Sequence, residues 1–189
     1  MYILTNGQIV LEEKIIENYA VVIEKDRIQA IIPEHQISNY EAYEIIDAEG
    51  GYISPGFVDI HSDYIESVVS PRPTCLLDFK IGIREAERIL ISHGITTMFH
   101  SLSIYKDDGF SHKPIRMPEN VNRLIEAINE THAGEHLIRN RVHARFEIDN
   151  IQAVEKFTQN IEEQKVHLIS FMDHTPGQGQ YRDLEIYRE

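Results

Sequence analysis

The chain has 189 residues, 42% hydrophobic and 26% charged, which suits one good core or one domain with a small annex. Eighteen basic residues face 31 acidic ones, a net charge of -13 that argues against a non-specific nucleic-acid binder and against residence on an anionic membrane surface. The single cysteine, Cys75, rules out an intrachain disulfide and favours the cytoplasm, and neither a membrane span nor a signal peptide is apparent.

Short strands and turns come first. Tyr2–Thr5 and Gln8–Leu11 flank Asn6-Gly7, a hairpin signal, and Tyr19–Glu24 and Arg27–Ile32 flank a second tight reversal at Lys25-Asp26. Glu44–Asp47 is a further short strand. Residues 1–53 therefore read as a small all-β annex, too small to bury much surface alone.

From Gly56 the pattern changes. Gly56–His61 is a strand, and 81–93 carries Ile83, Ala86, Ile89 and Leu90 at helical spacing before Gly94 stops it. Ile95–Leu102 is the next strand. After a polar loop, Glu119–Thr131 reads as a helix with Val121, Leu124, Ile125 and Ile128 on one stripe. Arg141–Ile148 is a strand, Gln152–Glu163 a helix with Val154, Phe157 and Ile161 inward, and Val166–Asp173 a fourth strand. A loop and the start of a helix close the chain. Alternation of this kind predicts parallel strands with crossover helices over residues 54–189, in a doubly wound sheet or in a shortened barrel.

In both architectures the chemistry gathers at the carboxyl ends of the strands. The first strand ends Asp59-Ile60-His61-Ser62-Asp63, with alternate residues on one face. An imidazole and a carboxylate two residues apart suit a divalent ion, and Asp59 could orient them; a polar turn would carry the same residues. His100, at the end of the second strand, reads more simply as a packed or hydrogen-bonded histidine. His143, Arg145 and Glu147 share a face of the third strand, where polar groups are costly unless paired or functional. Glu147 is placed to reach a metal, and Arg145 to pair with it or to grip a phosphate. Asp173 and His174 close the fourth strand, beside turn-forming residues. A divalent site assembled here would lower the pKa of a water molecule, which is hydrolase chemistry.

The segment Asp47–His61, with its Ser54-Pro55-Gly56-Phe57-Val58-Asp59-Ile60-His61 run, resembles the entry motif of the amidohydrolase superfamily. That resemblance implies an α/β fold: a small N-terminal β-sandwich annex over 1–53, incomplete, then the first four or so β/α units of a TIM-like barrel over 54–189, truncated. Many members of the superfamily continue His-x-His, whereas this chain has His61-Ser62-Asp63. That departure resembles the PhnM family, together with Ser70-Pro71-Arg72-Pro73, Gly94-Ile95-Thr96-Thr97 and Met172-Asp173-His174-Thr175-Pro176-Gly177-Gln178. The likeness runs through about 47–104 and 141–189; before residue 47 only the strand pattern matches.

The resemblance implies a diphosphatase of phosphonate metabolism, hydrolysing α-D-ribose 1-methylphosphonate 5-triphosphate to the 5-phosphate and diphosphate. It implies one or two divalent ions (Zn, Mn or Fe) on His61, Asp63 and Glu147. Arg72, Arg145, Asp173, His174 and Gln178 become candidates for binding the phosphorylated ribose substrate. Further metal ligands and the general base are expected beyond residue 189, so the chain reads as an incomplete enzyme whose exposed barrel edge a second copy would cover. Two alternatives stand beside this one: amide or cyclic-amide hydrolysis in the manner of dihydroorotase, and a non-catalytic binding or assembly module.

Overall fold

A computed structural model describes residues 1–106, 113–174 and 177. The chain divides into two compact units, Met1–Pro55 and Gly56–Glu189. None of the described helices is long and apolar enough to cross a membrane.

The first unit holds β1 (Tyr2–Thr5), β2 (Gln8–Val10), β3 (Ile15–Ile16), β4 (Tyr19–Glu24), β5 (Arg27–Pro33), a 3-10 segment (Glu34–Asn39), β6 (Glu44–Asp47) and β7 (Tyr52–Ile53). These strands form two sheets, ordered β5-β4-β1-β6 and β3-β2-β7. The reversal at Lys25-Asp26 is a hairpin, with Glu24 opposite Arg27 and Lys25 at φ 54°. The expected hairpin at Asn6-Gly7 does not form: β1 pairs with β4 and β6, and β2 pairs with β3 and β7. Here Asn6, at φ 54°, passes the chain from one sheet to the other, and its side chain donates to Asp47 Oδ1 at 2.7 Å. Gly7 serves a close approach, since a Cβ there would lie 2.8 Å from Ile53 Cδ1 and 2.9 Å from the Gly51 carbonyl oxygen.

Strand alternation gives the first sheet two apolar faces. Ile3, Ala20, Val22 and Ile32 pack with Ile37, Tyr40 and Tyr43, around the 3-10 segment. Val21, Leu4 and Ile23 pack on the opposite face with Ile9 and Ile53 of the second sheet.

The second unit contains β8 (Phe57–Ser62), α1 (Tyr64–Val69), α2 (Phe79–Ser92), β9 (Ile95–Ile104), a 3-10 turn (Pro114–Arg116), α3 (Pro118–Ala133), β10 (Arg139–Glu147), a second 3-10 turn (Ile151–Ala153), α4 (Val154–Glu162) and β11 (Leu168–Met172). All four strands are parallel, in the order β11-β10-β9-β8. Strand order follows chain order, so the reversal that defines a doubly wound sheet is missing among the described residues.

Local chemistry explains the helices. Asp78 caps α2 by accepting from the Ile81 N–H at 3.1 Å, Ile83, Ala86 and Leu90 form its buried stripe, and Gly94 at φ 78° ends the connection. Pro118 opens α3, which buries Val121, Leu124, Ile125 and Ile128. In α4 only Phe157 of the three residues expected inward is buried; Val154 and Ile161 are 46% and 38% exposed. α1 escapes a periodicity search because six residues span fewer than two turns.

The helices cover one face of the sheet. Met98, Leu102 and Val142 join the core of α1, α2 and α3, while Ala144 and Phe146 meet Phe157 of α4, whose ring stacks on Phe146 at 4.5 Å. The opposite face is polar. The edge strands leave Val58, Ile60 and Phe171 58–70% exposed.

Candidate functional site

The polar face of the parallel sheet carries the candidate residues at its carboxyl end. Registry places His143 opposite Ser101 of β9, and Arg145 opposite Ser103 of β9 and Ser170 of β11. Parallel strands in register direct paired side chains to the same face, so β10 lays its polar residues among serines.

His143 is buried, with Nδ1 3.2 Å from Ser101 Oγ and Nε2 3.0 Å from Ser170 Oγ. Burial, with the neighbouring His61 imidazole, pushes its pKa below the ordinary histidine value. A neutral imidazole donates from one nitrogen and accepts at the other, and the two hydroxyls can rotate to serve either tautomer. The His61 ring meets His143 edge-on at 5.0 Å.

β8 delivers His61 and Asp63 through a distorted end. Its register against β9 shifts between Asp59 and Ser62, and Asp59 Oδ1 accepts the His61 N–H at 3.0 Å. Asp63 then precedes α1, and its carboxylate takes Arg145 Nη1 at 3.3 and 3.4 Å. The same Nη1 lies 3.4 Å from Ser103 Oγ. So His61, Asp63, His143 and Arg145 form one cluster.

Glu147 belongs to a second group. It is buried, and it accepts the His174 backbone N–H at 2.8 Å and lies 2.6 Å from His174 Nδ1. The His174 ring lies 5.9 Å from the Tyr105 ring, and the Arg116 guanidinium sits over that same Tyr105 ring, 5.5 Å from its centroid. Arg116 in turn grips Glu66 through Nε at 3.1 and 3.0 Å and Nη2 at 2.9 Å.

The remaining candidates stand apart. Arg72 is exposed in the loop between α1 and α2, where its carbonyl accepts the Cys75 N–H. Asp173 lies next to His174 just past β11, and Gln178 lies outside the described residues. His100 faces the helices, where Nε2 meets Asn140 Oδ1 at 3.0 Å, in line with its packing role.

Glu66, Tyr105, Arg116 and Ser170 were not legible as site residues. Ser101 and Ser103 had a signal, a Ser-x-Ser alternation at the end of β9 matching that of His143 and Arg145. Arg116 had none, because it joins Glu66 across 50 positions.

The donor types at the strand ends suit a divalent ion: imidazole from His61 and His143, carboxylate from Asp63 and Glu147. The count does not complete a site. Among the described residues no three of His, Cys, Asp or Glu come together in a ligating group, and the two carboxylates already hold Arg145 and His174.

The NagA composite domain family matches residues 1–49, where only a strand pattern was legible. Dihydroorotase of Listeria welshimeri is 33% identical over 84 residues, covering 44% of this chain and 19% of that one. Molinate hydrolase aligns in three dimensions with a TM-score of 0.49 and 19% identity, over 76% of this chain and 29% of that one. Alpha-D-ribose 1-methylphosphonate 5-triphosphate diphosphatase of Escherichia coli is 28% identical over 190 residues, covering 99% of this chain and 47% of its own. Along nearly its whole length, then, the chain resembles this PhnM enzyme, of which it spans about half.

Proposed function

We propose that the chain is part of a metal-dependent hydrolase of the amidohydrolase type that cleaves α-D-ribose 1-methylphosphonate 5-triphosphate to the 5-phosphate and diphosphate. The observation that carries this reading is the likeness to the E. coli diphosphatase over 99% of the chain. The singly wound sheet supports it as the opening units of a barrel.

In this reading His61 and Asp63, with Glu147, contribute ligands to one or two divalent ions, Zn, Mn or Fe. A divalent ion supplies Lewis acidity and lowers the pKa of a water molecule. The protein's own contribution is positional. Arg145 fixes the Asp63 carboxylate, and Ser101 and Ser170 hold the His143 ring beside His61. His174 anchors Glu147. Arg72, Asp173, His174 and Gln178 would bind the phosphorylated substrate, and Arg145, which holds Asp63, would be available to the triphosphate where an ion occupied that carboxylate. A second copy of the chain covers the exposed edge of β11, the fourth parallel strand; a monomer in light scattering would remove that part.

The test is diphosphate release from the ribose triphosphate with Mn²⁺ or Zn²⁺, on this chain and on any longer polypeptide containing it. Release that His61→Ala and Asp63→Asn abolish supports the reading. Absence of release from both overturns it. A cyclic-amide hydrolase is the second reading, favoured by the dihydroorotase match, and dihydroorotate turnover would select it.

A further inference from the structure

We propose that Arg116 is a positioning residue that ties the Asp63 end of the site to the Glu147 end, so that the two carboxylates keep one fixed separation. What the carboxylates do there rests on the hydrolase reading proposed for the chain; the coupling between them does not.

Asp63 and Glu147 stand on different elements and hold different partners, Arg145 and His174. Arg116 touches the support of each. On one side, its Nε lies 3.1 and 3.0 Å from the two carboxylate oxygens of Glu66, and its Nη2 lies 2.9 Å from Oε2. Glu66 stands in the first turn of α1, and its backbone N–H donates to the Asp63 carbonyl at 2.9 Å. Holding Glu66 therefore holds the turn from which Asp63 projects. On the other side, the guanidinium lies over the Tyr105 ring, just past β9. Tyr105 supports Glu147 by two routes. Its ring lies against that of His174, whose Nδ1 is 2.6 Å from Glu147 Oε2. Its carbonyl accepts from Asn150 Nδ2 at 2.7 Å, and the Asn150 backbone N–H donates to the Glu147 carbonyl at 3.0 Å.

The chemistry singles out arginine. Glu66 is 7% exposed and the Arg116 side chain 19%, so neither charge can leave without stranding the other. A planar guanidinium offers its edge to a carboxylate and its face to an aromatic ring at once, which a lysine ammonium on its flexible stem cannot. A local ion pair with Glu66 needs only the edge. The occupied face is what carries the contact on to Tyr105 and His174.

NMR on the isotope-labelled chain tests the coupling through the His174 ring signals and the Tyr64 backbone amide. Glu66→Gln leaves one oxygen for the guanidinium and replaces the other with a donor, which loosens the grip. It should shift both sets of signals, whereas Lys80→Met, at the exposed pair with Glu130, should shift neither. Arg116→Lys leaves Glu66 a countercharge but no planar face. In that background Glu66→Gln should still move the Tyr64 amide and no longer move His174. An unmoved His174 in Glu66→Gln, or an equal further shift in the Arg116→Lys background, would overturn the proposal. Should Arg116→Lys fail to fold, Glu66→Leu with Arg116→Leu strands no charge, and unchanged His174 signals in that pair would overturn it equally. In the diphosphate assay on a longer polypeptide, Arg116→Lys should lower kcat at least about tenfold with KM within about twofold. A raised KM with kcat kept would make Arg116 a substrate contact instead. No release from the unaltered protein would sink the hydrolase reading, while the NMR shifts still decide the coupling.

Discussion

Glu87 of α2 is fully buried, and replacing it tests how the helix layer holds the strands that carry the site. Its Oε1 accepts from Asn140 Nδ2 at 2.6 Å and from the Leu137 N–H at 3.3 Å, and its Oε2 lies 3.4 Å from Arg84 Nη1. Asn140 then meets His100 on β9. Glu87→Ala strips the acceptor from two donors, and Asn140 keeps only a 3.4 Å contact to the Ile138 carbonyl. At roughly 1–3 kcal/mol for each of the two unsatisfied donors, the loss is about 2–6 kcal/mol. Glu87→Gln retains Oε1 for both donors but puts an Nε2 donor where Oε2 accepted from Arg84. Since the Arg84 side chain is 42% exposed, water takes over its half of the pair, and the cost is about 1 kcal/mol. Urea unfolding followed by helical circular dichroism reads the right unit, because α1 to α4 all lie beyond residue 56. Equal losses in the two variants, or a loss below about 1 kcal/mol in Glu87→Ala, would refute the reasoning.

Stability should fall as the medium turns acidic. Burial depresses the pKa of His100 below 6.5, and of His143, His132 and His167 likewise, so the unfolded chain takes up protons first. The contribution is complete above about pH 6.5 and is lost as pH falls towards the folded values, at up to about 1.4 kcal/mol per unit for each fully linked histidine; a flat urea midpoint from pH ~8 to ~5 would contradict it. Gly56→Ala drives a Cβ into the Thr96 side chain and should cost about 1–3 kcal/mol, with Thr96→Gly restoring part of the loss in the double variant; additive effects would contradict that contact. Arg145→Met should move stability by no more than about 1 kcal/mol, because Asp63 is 45% exposed, while turnover in the diphosphate assay falls much further; parallel small changes would deny Arg145 a positioning role. Arg72→Ala should raise KM or lower kcat in that assay, and unchanged kinetics would remove Arg72 from the site.

What could be read from the sequence was what repeats along the chain. Ile83, Ala86 and Leu90 or Val121, Leu124 and Ile128 declare their helices by spacing, and the helices and strands of 57–172 follow the expected alternation. A turn signal declares a conformation but not a partner. Asn6-Gly7 does turn, at φ 54°, yet the strands it joins belong to different sheets, because β1 has a better neighbour in β4, some twenty residues on. The same limit governs the site. His61, Asp63, His143, Arg145 and Glu147 were nameable because each sits at the end of a strand in a parallel sheet. Their pairing was not, since Asp63 and Arg145 meet across 82 positions. Registry alone decides that Arg145 reaches Asp63 while Glu147, two residues further along the same face, is taken by His174. A one-residue slip of β10 would turn His143, Arg145 and Glu147 into the helix layer and bring Val142, Ala144 and Phe146 to the polar face. The apolar packing of Val142, Ala144 and Phe146 under α3 and α4 is therefore what aims the site residues, and the chemistry at the strand ends depends on a core that contains none of them.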